Sequence, residues 1–293
     1  MQNDAVVQIL LPLTLAFIMV GMGMSLVVDD FKRVLKYPKA VAIGLVGQLV
    51  VLPILGMAIA SALPLSPEMA VGLVIIAACP GGVTSNLIAH MARGNTALSI
   101  SLTAVSSVLT VFTIPLIINF GLITFMGNGT MISLPVGKTM LTLFFITLLP
   151  TVIGMSIRAK WPRFALSQER NVKIASGVFM GIMVIGLCVK ERGILLNAIA
   201  QAGPATALLN ISAMVLGYLI ARAFRLNRAD ATSITVEVGI QNGTLAILIA
   251  GTLLNNAAMG IPGAIYSLVM FFNGGLLIAW NNTRRVPAAE TAT

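Results

Sequence analysis

The sequence predicts an all-α polytopic membrane protein with about nine transmembrane helices. Hydrophobic residues make up 58% of the chain and charged residues only 9%, whereas about 25% of the residues in a typical soluble domain are charged. Apolar runs of the length that crosses a bilayer, roughly 20 residues, follow one another along the chain. Lys and Arg are concentrated in alternate connections between these runs, as expected for a chain that repeatedly crosses a membrane.

The predicted spans account for almost the whole chain as a single integral membrane domain, 1–293. They cover 5–28, 39–63, 67–91, 95–126, 138–157, 172–190, 203–222, 230–254 and 260–281. All but three of the 18 Lys and Arg then lie on one side, and the exceptions are Lys138, Lys190 and Arg192. Because basic loops favour the cytoplasm, we expect the N-terminus outside and the C-terminus inside. Basic loops also explain the net charge of +9 without any binding of nucleic acid.

The first two spans are almost entirely apolar. The first has no basic segment ahead of it and is too long for the apolar part of a signal peptide, so we interpret it as a membrane helix. The second contains one isolated amide, Gln48, which either joins helices or binds a ligand.

The third span contains a helix-breaking sequence, CPGGVTSN, at residues 79–86. Pro80 removes a backbone donor and clashes with the preceding turn. Each of the two following glycines weakens a helix by about 1 kcal/mol relative to alanine. An interruption followed by three polar side chains is tolerated at membrane depth where it is buried or lines a watery cavity.

The fourth span contains a stripe of hydroxyl side chains. Ser99, Thr103, Ser106 and Thr110 recur at spacings of four, three and four, which places them on one helical face. Such stripes often only hold membrane helices together. Because this stripe follows the interrupted third span directly, we interpret it as one wall of an ion site.

The eighth span contains the one acidic residue that lies well inside a predicted span, Glu237. A charge at the bilayer centre costs about 2.5–3.5 kcal/mol on insertion scales, so it needs a partner, a cavity or a proton. A protonated Glu237 in a purely structural hydrogen bond is the alternative. The residues from 237 to 244, EVGIQNGT, favour a site, because they place two glycines and several polar side chains at mid-membrane.

The remaining spans, the fifth to seventh and the ninth, are predicted from apolar length and loop charge. They complete an alternation in which the third and eighth spans cross in opposite directions. Paired interrupted spans in the two halves of a chain are typical of inverted-repeat transporters. The candidate ligands are all oxygens, which suits a hard cation such as sodium. The single histidine, His90, lies near a span end and is interpreted as structural.

Three sequence blocks give the chain a resemblance to the bile acid:sodium symporter family. They are GMGMSLVVDDFKRVLKYPKAV, CPGGVTSNLIAHMARGNTALSISLTAVS, and ITVEVGIQNGTLA followed by IPGAIYS. The resemblance implies an inverted-repeat transporter in which two discontinuous helices cross. It also implies a core bundle (39–126 and 203–281) that rocks against a panel bundle (5–28 and 138–190).

The resemblance also implies two sodium sites and a substrate cavity beside the crossing. The first sodium site would use Ser85, Asn86, Ser99, Thr103 and Glu237. The second would use Gln48, Glu237, Gln241 and the backbone carbonyls of Val238 and Ile240. The substrate cavity would be lined by Asn242, Thr84, Pro80 and Gly81.

Two departures from the family pattern affect the expected substrate and symmetry. A His-Asn pair that lies near the substrate in some relatives is replaced here by Met270 and Phe271, so a smaller carboxylate is as acceptable as a bile acid. The chain also starts one span later than many bacterial relatives, which leaves its inverted repeats incomplete.

The expected function is sodium-coupled symport of organic anions by alternating access. The main alternative is a proton-coupled carrier of the same fold, and a uniporter or channel with structural ions is another. No catalytic constellation is evident at span depth, so we expect no enzyme. We expect a monomer in the inner, or plasma, membrane, an inference that uses the resemblance and the missing transit peptide.

Overall fold

A computed structural model describes residues 2–127 and 134–283, and helices dominate both stretches. We number the helices in chain order, joining segments that run on without a break. They are α1 (Gln2–Met24), α2 (Val28–Leu35), α3 (Pro38–Ala62), α4 (Pro67–Ala78), α5 (Val83–Met91), α6 (Thr96–Met126), α7 (Val136–Lys160), α8 (Pro162–Lys190), α9 (Leu195–Ala223), α10 (Arg228–Gly239), α11 (Gly243–Leu253) and α12 (Ala257–Thr283). Single π-helical turns occur inside α3, α7 and α11.

Six of the described helices, α3, α6, α7, α8, α9 and α12, are long and apolar enough to cross a membrane. A seventh candidate is the pair formed by Pro12–Met24 of α1 and by α2, which is bent by 74°. The molecule is therefore an all-helical, multi-pass membrane protein in its described parts. The predicted third and eighth spans each consist of two shorter helices, α4 with α5 and α10 with α11.

Two helices begin well before the apolar runs that predicted them. The run at 172–190 belongs to α8, which begins at Pro162, and the run at 203–222 belongs to α9, which begins at Leu195. Hydropathy detects the part of a helix that lipid surrounds and misses a polar extension of the same helix. Arg163 and Arg170, which fall between the predicted spans 138–157 and 172–190, are consequently helical.

The two interrupted spans lie at the centre of the molecule. Every residue of α4 from Met69 to Ala78 is buried, and so is every residue of α10 from Asp230 to Gly239. The helix α4 packs against α3, α6, α9 and α12, while α10 packs against α3, α5, α6 and α9. Apolar side chains of the outer helices, among them Phe120 and Ile185, are 61% and 65% exposed, as expected of surfaces that face lipid.

A second group of helices, α1, α7 and α8, pack against one another. The contact between α1 and α7 is a close approach of two backbones at Gly23 and Gly154. A Cβ atom on Gly23 would collide with the carbonyl of Thr151, and one on Gly154 would collide with the carbonyl of Val20. Glycine at both positions therefore sets how closely these helices pack.

Candidate functional site

The two interruptions meet backbone to backbone in a segment that we call the crossing, residues 79–82 and 240–242. The amide of Asn242 donates to the carbonyl of Pro80 over 2.9 Å, and Gly81 pairs with Gln241 as an isolated antiparallel bridge. The helices α4 and α10 end here, and α5 and α11 begin here. The crossing therefore brings together two helix C-termini, which favour cations, and two N-termini, which favour anions.

Side chains at the crossing satisfy groups that the interruptions release from helical pairing. The Asn242 side chain caps α11 by accepting the amide of Leu245 over 3.0 Å. In the first turn of α5, the Ser85 amide and hydroxyl both donate to the carbonyl of Gly82, over 3.0 Å and 2.7 Å. Of these two contacts, the one made by Asn242 is an N-cap, which stabilises a helix start by about 1 kcal/mol.

The Glu237 carboxylate, in the last turn of α10, lies within a cluster of hydroxyl groups from α5 and α6. Thr103 Oγ1 is 2.7 Å from Glu237 Oε1, and Ser85 Oγ and Ser99 Oγ are 3.0 Å and 3.2 Å from Oε2. The Asn86 amide oxygen is 2.9 Å from Ser99 Oγ and 3.2 Å from Thr103 Oγ1. We call these five residues the carboxylate cluster.

The carboxylate cluster contains more short oxygen–oxygen contacts than its hydroxyl hydrogens can turn into hydrogen bonds. Each hydroxyl carries a single hydrogen, yet Ser85, Ser99 and Thr103 each lie within 3.3 Å of at least two other oxygen atoms. Turning the Asn86 amide would supply donors for two of these contacts and leave the others unchanged. Several lone pairs therefore lie close together with no hydrogen between them, and oxygens grouped in this way can coordinate a hard cation.

The charge of Glu237 is buried without a basic partner in the described part of the chain. Its side chain is 0% exposed. The two ion pairs in that part are Asp29 with Lys32 and Asp30 with Arg33, both elsewhere. Gly81 lets the carboxylate approach the crossing, because a Cβ atom at residue 81 would collide with Glu237 Oε1. A positive charge bound in the cluster would offset the cost of the buried carboxylate.

The second predicted set of ligands lies on the other side of the same turn. Gln48 Nε2, on α3, donates to the Cys79 carbonyl over 2.8 Å and to Gln241 Oε1 over 2.7 Å. Gln241 Nε2 donates to the Val238 carbonyl over 2.7 Å and to the Glu237 carbonyl over 3.2 Å. Both glutamine side chains are buried. Ile240 lies within the crossing, with φ −105° and ψ 102°.

The hydroxyl stripe on α6 divides between two surroundings. Ser99 and Thr103 contact Glu237, whereas the Ser106 hydroxyl bonds to the carbonyl of Thr103 over 3.2 Å. Thr110, two turns beyond Thr103, lies in the wall of a separate cavity. The shared helical face is present, but only its first half reaches the carboxylate.

A cavity of about 250 Å³ opens beside the crossing, between α1 and α7 on one side and α6 on the other. Its wall includes Met22, Phe31, Pro80, Thr110, Thr151 and Asn242, and none of its lining residues is basic. A smaller cavity of about 100 Å³ is lined by Thr84, Gln241, Asn242 and also by Met270 and Phe271. Gly81 lies at the carboxylate rather than in either lining.

Three buried polar residues, two at the crossing and one at the opposite end of α10, were not singled out from the sequence. Asn210 Nδ2 and the Tyr266 hydroxyl both donate to the Gly239 carbonyl, over 2.7 Å and 2.9 Å. Asp230 is 7% exposed, and its carboxylate accepts from Asn95 Nδ2 over 2.8 Å. An isolated polar residue in an apolar run, the signal that singled out Gln48, would also have found Asn210.

Comparison with known proteins identifies the family. The model of the sodium bile acid symporter family matches residues 12–198. A rice protein (Oryza sativa subsp. japonica) named probable sodium/metabolite cotransporter BASS2, chloroplastic, is 30% identical over 281 residues. That alignment covers 94% of this chain and 64% of the rice protein, so the chain spans less than two thirds of this relative's length.

Relatives from two other kingdoms match most of the chain. The uncharacterized sodium-dependent transporter YocS of Bacillus subtilis (strain 168) is 28% identical over 91% of this chain and 81% of its own length. The human (Homo sapiens) ileal sodium/bile acid cotransporter is 27% identical over 83% of this chain and 69% of its own length. These names describe transporters rather than enzymes. The chain belongs to the sodium bile acid symporter family.

Proposed function

We propose that the chain is a sodium-coupled symporter of organic anions. The observation that carries the proposal is the carboxylate cluster, in which hydroxyl and amide oxygens surround a fully buried Glu237. Family membership supports sodium as the coupling ion, since the relatives are named as sodium-dependent transporters or cotransporters.

Two sodium ions are proposed, one on each side of Glu237. The first is held by Ser85, Asn86, Ser99, Thr103 and Glu237. The second is held by Gln48, Glu237, Gln241 and the carbonyls of Val238 and Ile240. The first assignment is supported by the convergence of oxygens in the carboxylate cluster. The second is supported by the hydrogen bonds that join Gln48 to Gln241, and Gln241 to the Val238 carbonyl at the end of α10. Sodium binding there requires the Gln241 amide to give up its hydrogen bond to the Val238 carbonyl.

The substrate is proposed to be a small organic anion with an apolar body, bound in the cavity of about 250 Å³. Sites for drug-sized ligands measure about 300–1,000 Å³, so a compact carboxylate fits this space better than a bile acid does. With no basic residue in the lining, the anionic group would be recognised by the helix N-termini at the crossing and by Asn242. Thr84, Pro80 and Gly81 complete that wall in the proposal.

The architecture proposed for this function has nine spans, with α4–α5 and α10–α11 as the interrupted pair of two inverted repeats. The helices α3–α6 and α9–α12 form the core, and α1, α7 and α8 form the panel. The cavity lies between these groups, so movement of the panel against the core would expose it to each side in turn. The N-terminus is proposed to lie outside the cell membrane and the C-terminus inside.

Coupling follows from the shared geometry of the crossing. Sodium bound at Glu237 would fix the positions of α5 and α11, whose N-termini face the anion. Each ligand then favours the arrangement that the other requires, and the effect on affinity is reciprocal.

The proposal is tested by uptake into liposomes that contain the purified full-length protein. Labelled carboxylates of increasing size, including a bile acid, are supplied under an inward sodium gradient, an inward proton gradient, or neither. We expect sodium alone to drive uptake, Glu237→Gln to abolish it, and Glu68→Gln to leave it unchanged. Uptake that follows the proton gradient and ignores sodium would instead establish the proton-coupled alternative.

A further inference from the structure

The carbonyl of Gly239 is held by two side chains from helices outside the crossing. In a continuous helix this carbonyl would accept the amide of residue 243. Here the Gly243 amide donates to the Gln241 carbonyl instead, over 3.1 Å. Asn210 Nδ2 on α9 and the Tyr266 hydroxyl on α12 take its place, at 2.7 Å and 2.9 Å.

Both donors are fixed in their positions. Asn210 and Tyr266 are each 0% exposed. The Asn210 amide oxygen accepts from Asn273 Nδ2 over 2.7 Å, which leaves its amino group directed at Gly239. A buried hydroxyl or amide that lost its partner would carry a penalty, so each donor favours keeping the carbonyl where it is.

The carbonyls on either side of Gly239 belong to the proposed second sodium site. They are the carbonyls of Val238 and Ile240. The Val238 carbonyl accepts from the Gln241 side chain, as the Glu237 carbonyl does, whereas the Gly239 carbonyl accepts from Asn210 on α9 and Tyr266 on α12. Peptide groups are planar, so fixing the Gly239 carbonyl also fixes the direction of the Ile240 amide in the same peptide group. The last turn of α10 therefore cannot unwind further without breaking two buried hydrogen bonds.

We propose that Asn210 and Tyr266 are positioning residues for the second sodium ion. They hold the end of α10 so that the Val238 and Ile240 carbonyls stay directed at the ion, and Asn273 acts one step further away through Asn210. The inference rests on the proposed function, because it needs a sodium ion at that site.

The test is the sodium dependence of uptake by the full-length protein in liposomes, together with its thermal unfolding at several sodium concentrations. Tyr266→Phe keeps the ring and removes the hydroxyl. We expect a rise of about 3- to 10-fold in the sodium concentration for half-maximal uptake, with little change in maximal rate. Asn210→Ala should act at least as strongly, and Asn273→Ala more weakly. Tyr218→Phe is the matched control, because Tyr218 on α9 is 41% exposed, and it should behave as wild type.

The outcomes separate the two proposals. If the wild-type protein shows no sodium response, the proposed function fails and the positioning role fails with it. If wild type responds and Tyr266→Phe has the same sodium dependence, only the positioning role is overturned. A purely structural role would lower the melting temperature equally with and without sodium and leave the half-maximal sodium concentration unchanged, which also overturns it.

Discussion

Gly81 and Glu237 lie so close together that no side chain fits between them. Gly81 comes from the interruption of one span and Glu237 from the last turn before the other, 156 positions later in the sequence numbering. The contact joins the carboxylate to the crossing, so a substitution at Gly81 tests the position of the carboxylate and of the crossing together.

Gly81→Ala is expected to destabilise the site by about 1–3 kcal/mol, the usual cost of overpacking. The added methyl group would displace the Glu237 carboxylate from Ser85 and Thr103, so the half-maximal sodium concentration for uptake should rise as well. Gly275→Ala is the control, because nothing lies within 4 Å of a Cβ atom there. Equal sodium dependence and equal melting temperatures for the two variants would contradict the prediction.

Ser99→Ala is expected to weaken sodium binding by about 10- to 100-fold, the range for losing a hydrogen bond to a charged group. Ser101→Ala is matched to it, since both serines lie on α6 and are buried, but the Ser101 hydroxyl bonds to the carbonyl of Ala97 in its own helix, over 2.9 Å. Sodium titrations of thermal unfolding in the purified protein measure the difference. A similar loss in both variants would point to helix packing rather than to an ion ligand.

Val108→Phe is expected to fill much of the cavity of about 250 Å³ and to abolish substrate uptake. Sodium-dependent thermal stabilisation should survive, because Val108 is absent from the carboxylate cluster. The neighbouring Leu109 is 37% exposed and lies outside the lining, so Leu109→Phe should transport normally. Wild-type uptake by the Val108 variant would place the substrate elsewhere.

Asn95→Ala is expected to lower the stability of the protein by about 1–3 kcal/mol. The side chain caps α6 by accepting the Leu98 amide over 3.1 Å, and it also donates to the buried Asp230. Asn282, an exposed residue bonded to the Met91 carbonyl, provides the control. Thermal unfolding in detergent should show a lower melting temperature for Asn95→Ala than for Asn282→Ala. Coincident curves would show that the hydrogen bonds of Asn95 to α6 and Asp230 do not stabilise the protein.

The sequence was most informative where a residue violated the rules for a membrane helix. Pro80 with its glycines, and Glu237 with the glycines that follow, each conflict with a continuous apolar span, and both interruptions are present in the structure. The family resemblance carried by those same blocks is confirmed. Such conflicts are visible in a single sequence, because the energetic penalty of a Pro, a Gly or a charge in a membrane helix depends on that helix alone.

Features that depend on partners from distant parts of the chain were harder to predict. Ser106 and Ser99 look equivalent on the helical face, and only the packing of α10 decides which one meets a carboxylate. Asp230 lies at the start of the predicted eighth span, and the structure buries it against the side-chain amides of Asn95 and Asn227. Tyr266 gave no signal because an aromatic residue in an apolar run is ordinary.

The glycine contact between α1 and α7 limits how this molecule can change shape. Because Gly23 and Gly154 each lie against a carbonyl of the opposite helix, sliding or rolling either helix would drive main-chain atoms into one another. The pair would then travel as one stiff unit, and any opening of the cavity must occur along its other boundary, where α6 contributes Ala104, Ser107 and Val108 to the wall.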